Sequence, residues 1–524
     1  MAKYLFFRVL RGIVSVIAVT AVVMILVYSS LDRNLIFASD PVFSHQKSNA
    51  KEAYMMQQWE NYGYVDYVSY ADYLGALLRE GELPQAVYEE AVRFGDTQAQ
   101  DNPVAAEYVE TFTEEYESKG YTITRLNAKY RGGTKKYQEG GQPRLYAGKD
   151  VPLPRRLWNY LTGIVTFDSI HAAEGDVGER GLRFTWYDPV YGGKIFSPAI
   201  MGNGTLHKYL LYFDGKFPFI HQNFITVNLG RSFSINKGVD VWQTMTQPQG
   251  SRETTVVTYP TGLVAESADD LHSAVYVAGS LENGDALIKA RFTDDYTGVT
   301  TRKAGLSKLG YSFVIGILSV ALSYLAAIPL GLWMARHRDR LVDRLGTVYI
   351  VFVMAVPSLA YIFLFKAIGG NLGLPTTFDM EAPRALMYVL PVLSLALPAA
   401  ANLMKWLRRY LIDQSGADYV KFARASGLSE GEIFSGHILK NAIIPVVHGI
   451  PAAVLGAMVG AIITERVYVV PGAGNLLTGA VNAYDNGVIV GVALFYAVLS
   501  VASVIFGDVL MGAMDPRISF GNRR

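Results

Sequence analysis

The sequence predicts an all-α six-helix membrane bundle with an α+β domain inserted between its first and second helices. Three observations carry this prediction. Six uncharged runs of 20 to 27 residues occur, at 12–31, 309–335, 345–365, 385–404, 441–464 and 486–507. About 20 such residues span a bilayer as a helix. Between the first two runs lie 277 residues, 32–308, in which no uncharged run comes near that length. Basic clusters also alternate with poorly basic loops along the six runs. Averages conceal this division, because 51% hydrophobic residues and a net charge of +1 describe two unlike parts at once.

The first run follows Lys3, Arg8 and Arg11, which resembles the basic start of a signal peptide. No A-x-A-like site follows in Val27-Tyr28-Ser29-Ser30-Leu31, which favours an uncleaved anchor. Basic residues mark the cytoplasmic ends of short loops. Arg336, His337, Arg338, Arg340 and Arg344 therefore belong inside, as do Lys405, Arg408 and Arg409 and the terminal Arg517, Arg523 and Arg524. The expected product is a multi-pass protein of the cell membrane with both termini cytoplasmic and residues 32–308 extracellular. Its parts are 1–31, 32–308 and 309–524, the last containing a cytoplasmic loop at 405–440. A shorter apolar stretch, 467–484, reads as a loop because of Pro471-Gly472 and later glycines. Six prolines inside the runs (Pro329, Pro357, Pro391, Pro398, Pro445 and Pro451) imply bent helices around a lined cavity, or simply packing geometry.

The 32–308 block begins helix-biased, with helical spacing at 67–78, 84–94 and 105–116. Beyond about residue 180 it turns toward strands, clearest at 254–259, closed by Pro260, and at 274–277. Asn203-Gly204, Asp214-Gly215 and Asn283-Gly284 supply turn signals. Tyr54, Tyr62, Tyr64, Tyr67, Tyr70 and Tyr73 suit either a partner-binding surface or a core and its rim. His45, His171, His207, His221 and His272 are scattered singly and show no metal-ligand spacing. With no cysteine, thiol catalysis, thiolate metal sites and disulfides are excluded. A near-zero net charge argues against nucleic acid as a partner.

Residues 405–440 read as two short helices. Ser415 and Asp418 form a candidate capping box for a helix through Ser426, and Gly427 supplies its stop. Ser429 and Glu432 open the second, toward Lys440. Tyr419, Phe422, Ala423 and Ser426 share one face of the first, while Ile433, Phe434 and Ile438 line the second. Spacing alone leaves three readings open: a loop packed under its own bundle, a DNA-binding helix-turn-helix, or a rigid knob for a cytoplasmic partner.

The residues themselves carry a resemblance. Ala417-Asp418-Tyr419-Val420-Lys421-Phe422-Ala423-Arg424-Ala425-Ser426-Gly427-Leu428-Ser429, with His437-Ile438-Leu439-Lys440-Asn441-Ala442-Ile443-Ile444-Pro445 after it, resembles the EAA-type loop of ABC importer permeases. It is most similar to that of the oligopeptide/dipeptide subgroup. Glu465-Arg466-Val467-Tyr468-Val469-Val470-Pro471-Gly472-Ala473-Gly474 resembles the family's E-x-x-F-x-x-P-G-x-G segment, and Asp508 with Asp515-Pro516-Arg517 its D-P-R ending. Trp158-Asn159-Tyr160-Leu161-Thr162 and Leu229-Gly230-Arg231-Ser232 are weakly similar to two pieces of the family's shorter first external segment, which suggests growth around a remnant.

The resemblance implies a type I-like importer permease subunit. Its loop would fit a groove on an ATP-hydrolysing partner, with Tyr419, Phe422, Ala423, Gly427, Leu428, Ser429 and Glu432 as coupling residues. It further implies two ATP-binding subunits, a homologous second permease subunit, an extracellular substrate-binding lipoprotein and a peptide substrate. No G-x-x-x-x-G-K-[ST] phosphate loop occurs, so ATP and Mg belong to the partners and this chain is expected to bind no cofactor. Asn402 and His448 lie inside apolar runs, and each is a substrate-path candidate or a polar group satisfied within the bundle. Glu465 could gate the exit or anchor the Pro471-Gly472 turn, and the turn is favoured. Two competing readings remain: a membrane-anchored receptor or adhesin, and an importer of nickel or another small solute. A receptor has no need of a capped lever between two spans. An intramembrane enzyme would want paired catalytic groups, and the apolar runs offer only His448.

Overall fold

The computed structural model describes residues 2–514 except 39, 47, 96–101, 126–144, 168, 171–178, 188–192, 195, 206–208, 215–216, 221–224, 235–236, 247, 252–254, 259–263, 268–292, 295–296, 299–301 and 380–383. The strand expected at 274–277, Pro260, Gly215, Asn283-Gly284, Asp515-Pro516-Arg517 and His171, His207, His221 and His272 lie outside the described residues.

The bundle is built from α1 (Ala2–Ser30), α2 (Lys308–Arg336), α3 (Leu341–Ala355), α4 (Ser358–Asn371), α5 (Val389–Ser415), α6 (Asp418–Ala425), α7 (Ile450–Tyr468), α8 (Ala473–Asn482) and α9 (Asn486–Met514). Among the described residues, five helical stretches are long and apolar enough to cross a membrane. The third uncharged run is not straight. It falls on α3 and α4, which meet at 108°. Pro357 explains the corner: the residue before a proline is pushed out of the helical region, and Val356 sits extended at ψ 130°.

The other prolines act more mildly than expected. Pro329 and Pro398 lie in helix interiors, and Pro391 lies in the first turn of α5. Pro445 and Pro451 occupy first-turn positions, where the missing N–H has no helical partner to lose. Two further expectations are corrected. The fourth span continues through Lys405, Arg408 and Arg409 to Ser415, so the loop begins later than residue 405. And 473–482 is a helix rather than a loop, because its small residues let it pack closely: Ala473, Gly474 and Ala480 are buried against α7 and α9 together with Leu476.

The 32–308 block starts with an antiparallel sheet of β1 (Val65–Ser69), β2 (Thr122–Arg125) and β3 (Leu145–Asp150), with β3 central. Helices Tyr70–Arg79, Gln85–Gly95 and Pro103–Ser118 cover one face through Tyr70, Leu74, Phe112, Leu145 and Ala147. Residues 67–69 belong to β1, not to the helix expected from 67. Their burial alternates with period two, and Ser69 caps the following helix by accepting from Asp72 N at 3.0 Å. The opposite face packs on Phe37, Trp59, Tyr64, Tyr67 and Tyr146. The early tyrosines are therefore core: Tyr64, Tyr67, Tyr70 and Tyr73 are buried, and Tyr54 and Tyr62 pack against them. They offer no free docking surface. Further on, a four-stranded antiparallel sheet runs Gly181–Thr185, Ala199–Asn203, Tyr209–Asp214, Phe217–Ile220, and Thr255–Thr258 pairs with Val264–Ser267.

The two parts of the chain are tied by a buried carboxylate at the start of α9. Asp485 accepts from the Ser232 and Ser234 hydroxyls at 2.7 and 2.8 Å and from Phe233 N and Ser234 N at 3.1 Å each. Its other oxygen accepts from Val488 N at 3.2 Å, capping the helix. Close backbone approach makes this possible, since a Cβ on Gly487 would strike the Arg231 carbonyl. The segment around Leu229-Gly230-Arg231-Ser232 thus roots the block on the bundle. Asp240 holds its other end, accepting from Leu229 N and Gly230 N at 3.2 Å each and from Trp242 N at 2.7 Å.

Candidate functional site

The loop after α5 folds into a compact unit. Ser415 donates to the Ile412 carbonyl at 2.7 Å and belongs to the end of α5, so it caps nothing; α6 begins after Ala417 without a side-chain cap. At Gly427 the backbone adopts φ +83°, the left-handed conformation that closes a helix most easily without a β-carbon. Gly427 N donates to the Arg424 carbonyl at 3.1 Å and Leu428 N to the Ala423 carbonyl at 3.3 Å. Beyond the turn the Ser429–Glu432 capping box is complete: Ser429 N donates to Glu432 Oε2 at 2.9 Å, and Glu432 N donates to Ser429 Oγ at 3.4 Å.

The chain beyond this box does not end as a separate loop helix. Residues Glu430–Tyr468 follow one helical course, with a π-helical turn at Phe434–Leu439 and short turns at Ile443 and Gly449, ahead of Pro445 and Pro451. The second loop helix is therefore the beginning of the long helical stretch that ends in α7. Val420, Ala423, Ile433 and Ile438 pack with Leu407 and Leu411 of α5 in one core, with Tyr419 partly buried beside them. Phe422 points the other way and is 72% exposed; Leu428 is 38% exposed. The helical face expected from spacing is thus divided: Ala423 holds the loop to the bundle, while Phe422 and Leu428 are offered outward. A two-point ion pair, Arg424 to Glu430 at 2.5 and 3.0 Å, straps the helices together across Gly427.

Inside the bundle, α2, α4, α5 and α7 enclose a cavity of about 550 Å³. Ser323, Tyr361, Ser394, Asn402, Trp406 and Tyr410 line it, giving an apolar wall set with hydroxyls and one amide. Of the three path candidates, only Asn402 reaches this cavity. His448 lies elsewhere, with Nε2 3.7 Å from Asp508 Oδ1 and its ring against Gly507 of α9. Glu465 is fully buried and faces the turn: it accepts from Ser312 Oγ at 2.5 Å and from Asn475 N at 3.2 Å, and a Cβ on Gly472 would strike its carboxylate. Sequence reasoning missed Asp343, which clamps Arg408 through two hydrogen bonds of 2.6 and 2.7 Å and ties α3 to α5 beside the loop. It also missed the Arg424–Glu430 strap. The Asp343–Arg408 pair joins helices 65 residues apart, whose proximity no local spacing encodes, while Arg424 and Glu430 meet only because the left-handed Gly427 turn folds the two loop helices together.

Residues 327–520 match the family model described as binding-protein-dependent transport system inner membrane component. The oligopeptide transport system permease protein AmiC of Streptococcus pneumoniae serotype 4 is 34% identical over 524 residues, covering 99% of this chain and 98% of that one. The chain belongs to the oligopeptide permease family of ABC transporters. As a family member it is a multi-pass membrane transport subunit rather than an enzyme. The AmiC alignment runs through the 32–308 block, whereas shorter family members match a smaller share. The dipeptide transport system permease protein DppB of Bacillus subtilis is 27% identical over 208 residues, covering 40% of this chain and 67% of that one. The oligopeptide transport system permease protein OppB of Mycobacterium bovis is 25% identical over 229 residues, covering 40% and 70%. Among the described residues no cluster of three or more His, Cys, Asp or Glu could hold a metal ion.

Proposed function

We propose that the chain forms half of the translocation path of an ATP-driven oligopeptide importer. The full-length likeness to AmiC supports peptide as the substrate class. In this reading there are six spans, the third being the bent pair α3 and α4. Both termini are cytoplasmic, and residues 32–308 form an extracellular insertion rooted on α9. The 550 Å³ cavity containing Asn402 belongs to the path, completed by a homologous second permease subunit. A surface lipoprotein delivers peptide, and ATP with Mg is held by two ATP-binding subunits. His448 and Glu465 serve as structural groups.

The single observation that carries the coupling mechanism is the helical course from Glu430 to Tyr468, interrupted only by single-residue turns at Ile443 and Gly449. A partner that grips Phe422 and Leu428 moves α6, and the Gly427 turn with its Arg424–Glu430 strap passes that motion to the helix beginning at Ser429. Because this helix continues into the fifth span, displacement at the loop becomes displacement beside the cavity. Tyr419, Ala423 and the Ser429–Glu432 box keep the lever stiff. Affinity purification of the chain in mild detergent tests the assembly. Co-purification of two ATP-binding subunits and a second permease subunit is expected, and recovery of no ATPase would refute the reading.

A further inference from the structure

We propose that the groove between α1 and α9 holds the headgroup of an anionic phospholipid at the cytoplasmic membrane face. The inference rests on the orientation given above, with the N-terminus inside. The two helices run antiparallel and in register: Arg8 Nε lies 2.9 Å from Asp508 Oδ2, and Gly12 abuts Val501 so closely that a Cβ would strike that side chain. A cavity of about 230 Å³ opens here, with Arg8, Arg11 and Ser15 facing Ser500, Val501 and Val504.

Its chemistry is that of a phosphodiester with hydrocarbon attached. Two guanidiniums meet a single carboxylate, leaving the groove positive. Asp508 also accepts from Tyr4 Oη at 3.2 Å, has His448 Nε2 3.7 Å from its other oxygen, and holds Arg8 through Nε at 2.9 Å. Arg11 makes no ion pair among the described residues and has only solvent or a ligand to meet its charge. Beside the basic rim the wall turns apolar through Val501, Val504 and Ile505 of α9, and Val504 is 45% exposed. Depth agrees with this occupant. Arg11 immediately precedes the first uncharged run and Asp508 immediately follows the last, so both sit where one leaflet's headgroups begin. Basic clefts between helices at this face recognise anionic headgroups, each Arg contributing a factor of about five in affinity. A zwitterionic lipid brings its own cation and gains less from the two guanidiniums.

Native mass spectrometry of the purified full chain, titrated with phosphatidylglycerol and with phosphatidylcholine of identical acyl chains, tests this. Phosphatidylglycerol is expected to bind at least about fivefold more tightly, and Arg11→Gln to remove about that factor. Arg8 is left intact because it orients Asp508. Equal binding of the two lipids, or an unchanged preference in Arg11→Gln, overturns the proposal. Displacement of bound lipid by soluble glycerol phosphate alone also overturns it, by assigning the groove to a free phosphate ester. The orientation is read separately. The chain lacks cysteine, so Ala2→Cys should react with an impermeant maleimide only after permeabilisation. Labelling in intact cells would sink the orientation while leaving any measured lipid preference standing.

Discussion

Replacing Gly427 asks whether the loop works as a stiff lever. A Cβ at this position would meet no heavy atom within 4 Å, so substitution adds no clash. The cost is backbone strain alone, at φ +83°. An ordinary L-residue loses about 1–2 kcal/mol in the left-handed region, more if β-branched, whereas Asn is tolerated there. That is a factor of roughly 5 to 30 in the population of the native turn, too little to unfold a membrane bundle. Peptide uptake into cells, normalised to the amount of inserted protein, should therefore fall in the order wild type, Gly427→Asn, Gly427→Ala, Gly427→Val. The Asn variant should stay near wild type and the Val variant should be nearly inactive. Normal uptake by Gly427→Val refutes the lever. Equal failure of Asn and Val refutes the argument from φ and assigns the defect to side-chain bulk in the docking face.

The packing predicts three further outcomes. Asp485→Ala orphans buried donors at about 1–3 kcal/mol each. Limited proteolysis should then cleave the 32–308 block faster while the helices beyond residue 308 stay protected. Arg408→Ala strands the Asp343 carboxylate, whose side chain is 5% exposed, and should lower stability by about 3 kcal/mol in a detergent melt; an unchanged midpoint would show that the pair does not hold α3 to α5. In the block, burial alone would raise the Asp40 carboxyl, but hydrogen bonds from Tyr54 and Lys237 outweigh it and hold it below its ordinary value. A depressed carboxyl stabilises the fold above its unfolded value, near 3.9, and that contribution disappears as pH falls through the still lower folded value. Asp40→Asn should flatten the acid limb of the block's stability curve, and a limb unchanged by it would contradict the assignment.

Much of the bundle was legible because bilayer physics writes itself into composition. A span must be apolar for about 20 residues whatever its neighbours do. The second capping box was equally legible, since Ser429 and Glu432 satisfy each other across one turn. Local pattern failed where tertiary contact decided. Ser415 and Asp418 match a capping box, yet α5 runs on to Ser415 because Leu407 and Leu411 bury against the loop. The stretch 473–482 has the glycines of a loop, yet those small residues let a helix lie against Ile462 and Glu465. Tyr67 has helical spacing to the residues after it, yet pairs in β1.

The same contrast runs through the candidate site. Sequence by itself determined the spans, their charge asymmetry, the Gly427 turn and the family motifs, all of which depend on residues near one another in the chain. Tertiary structure alone decided that Phe422 faces outward while Ala423 faces in, that Asn402 reaches the cavity while His448 turns to Asp508, and that Asp485 anchors the block across some 250 residues of chain. Those outcomes depend on which helix lies beside which. Close packing of side chains in three dimensions fixes that, and no periodicity along one strand of sequence records it.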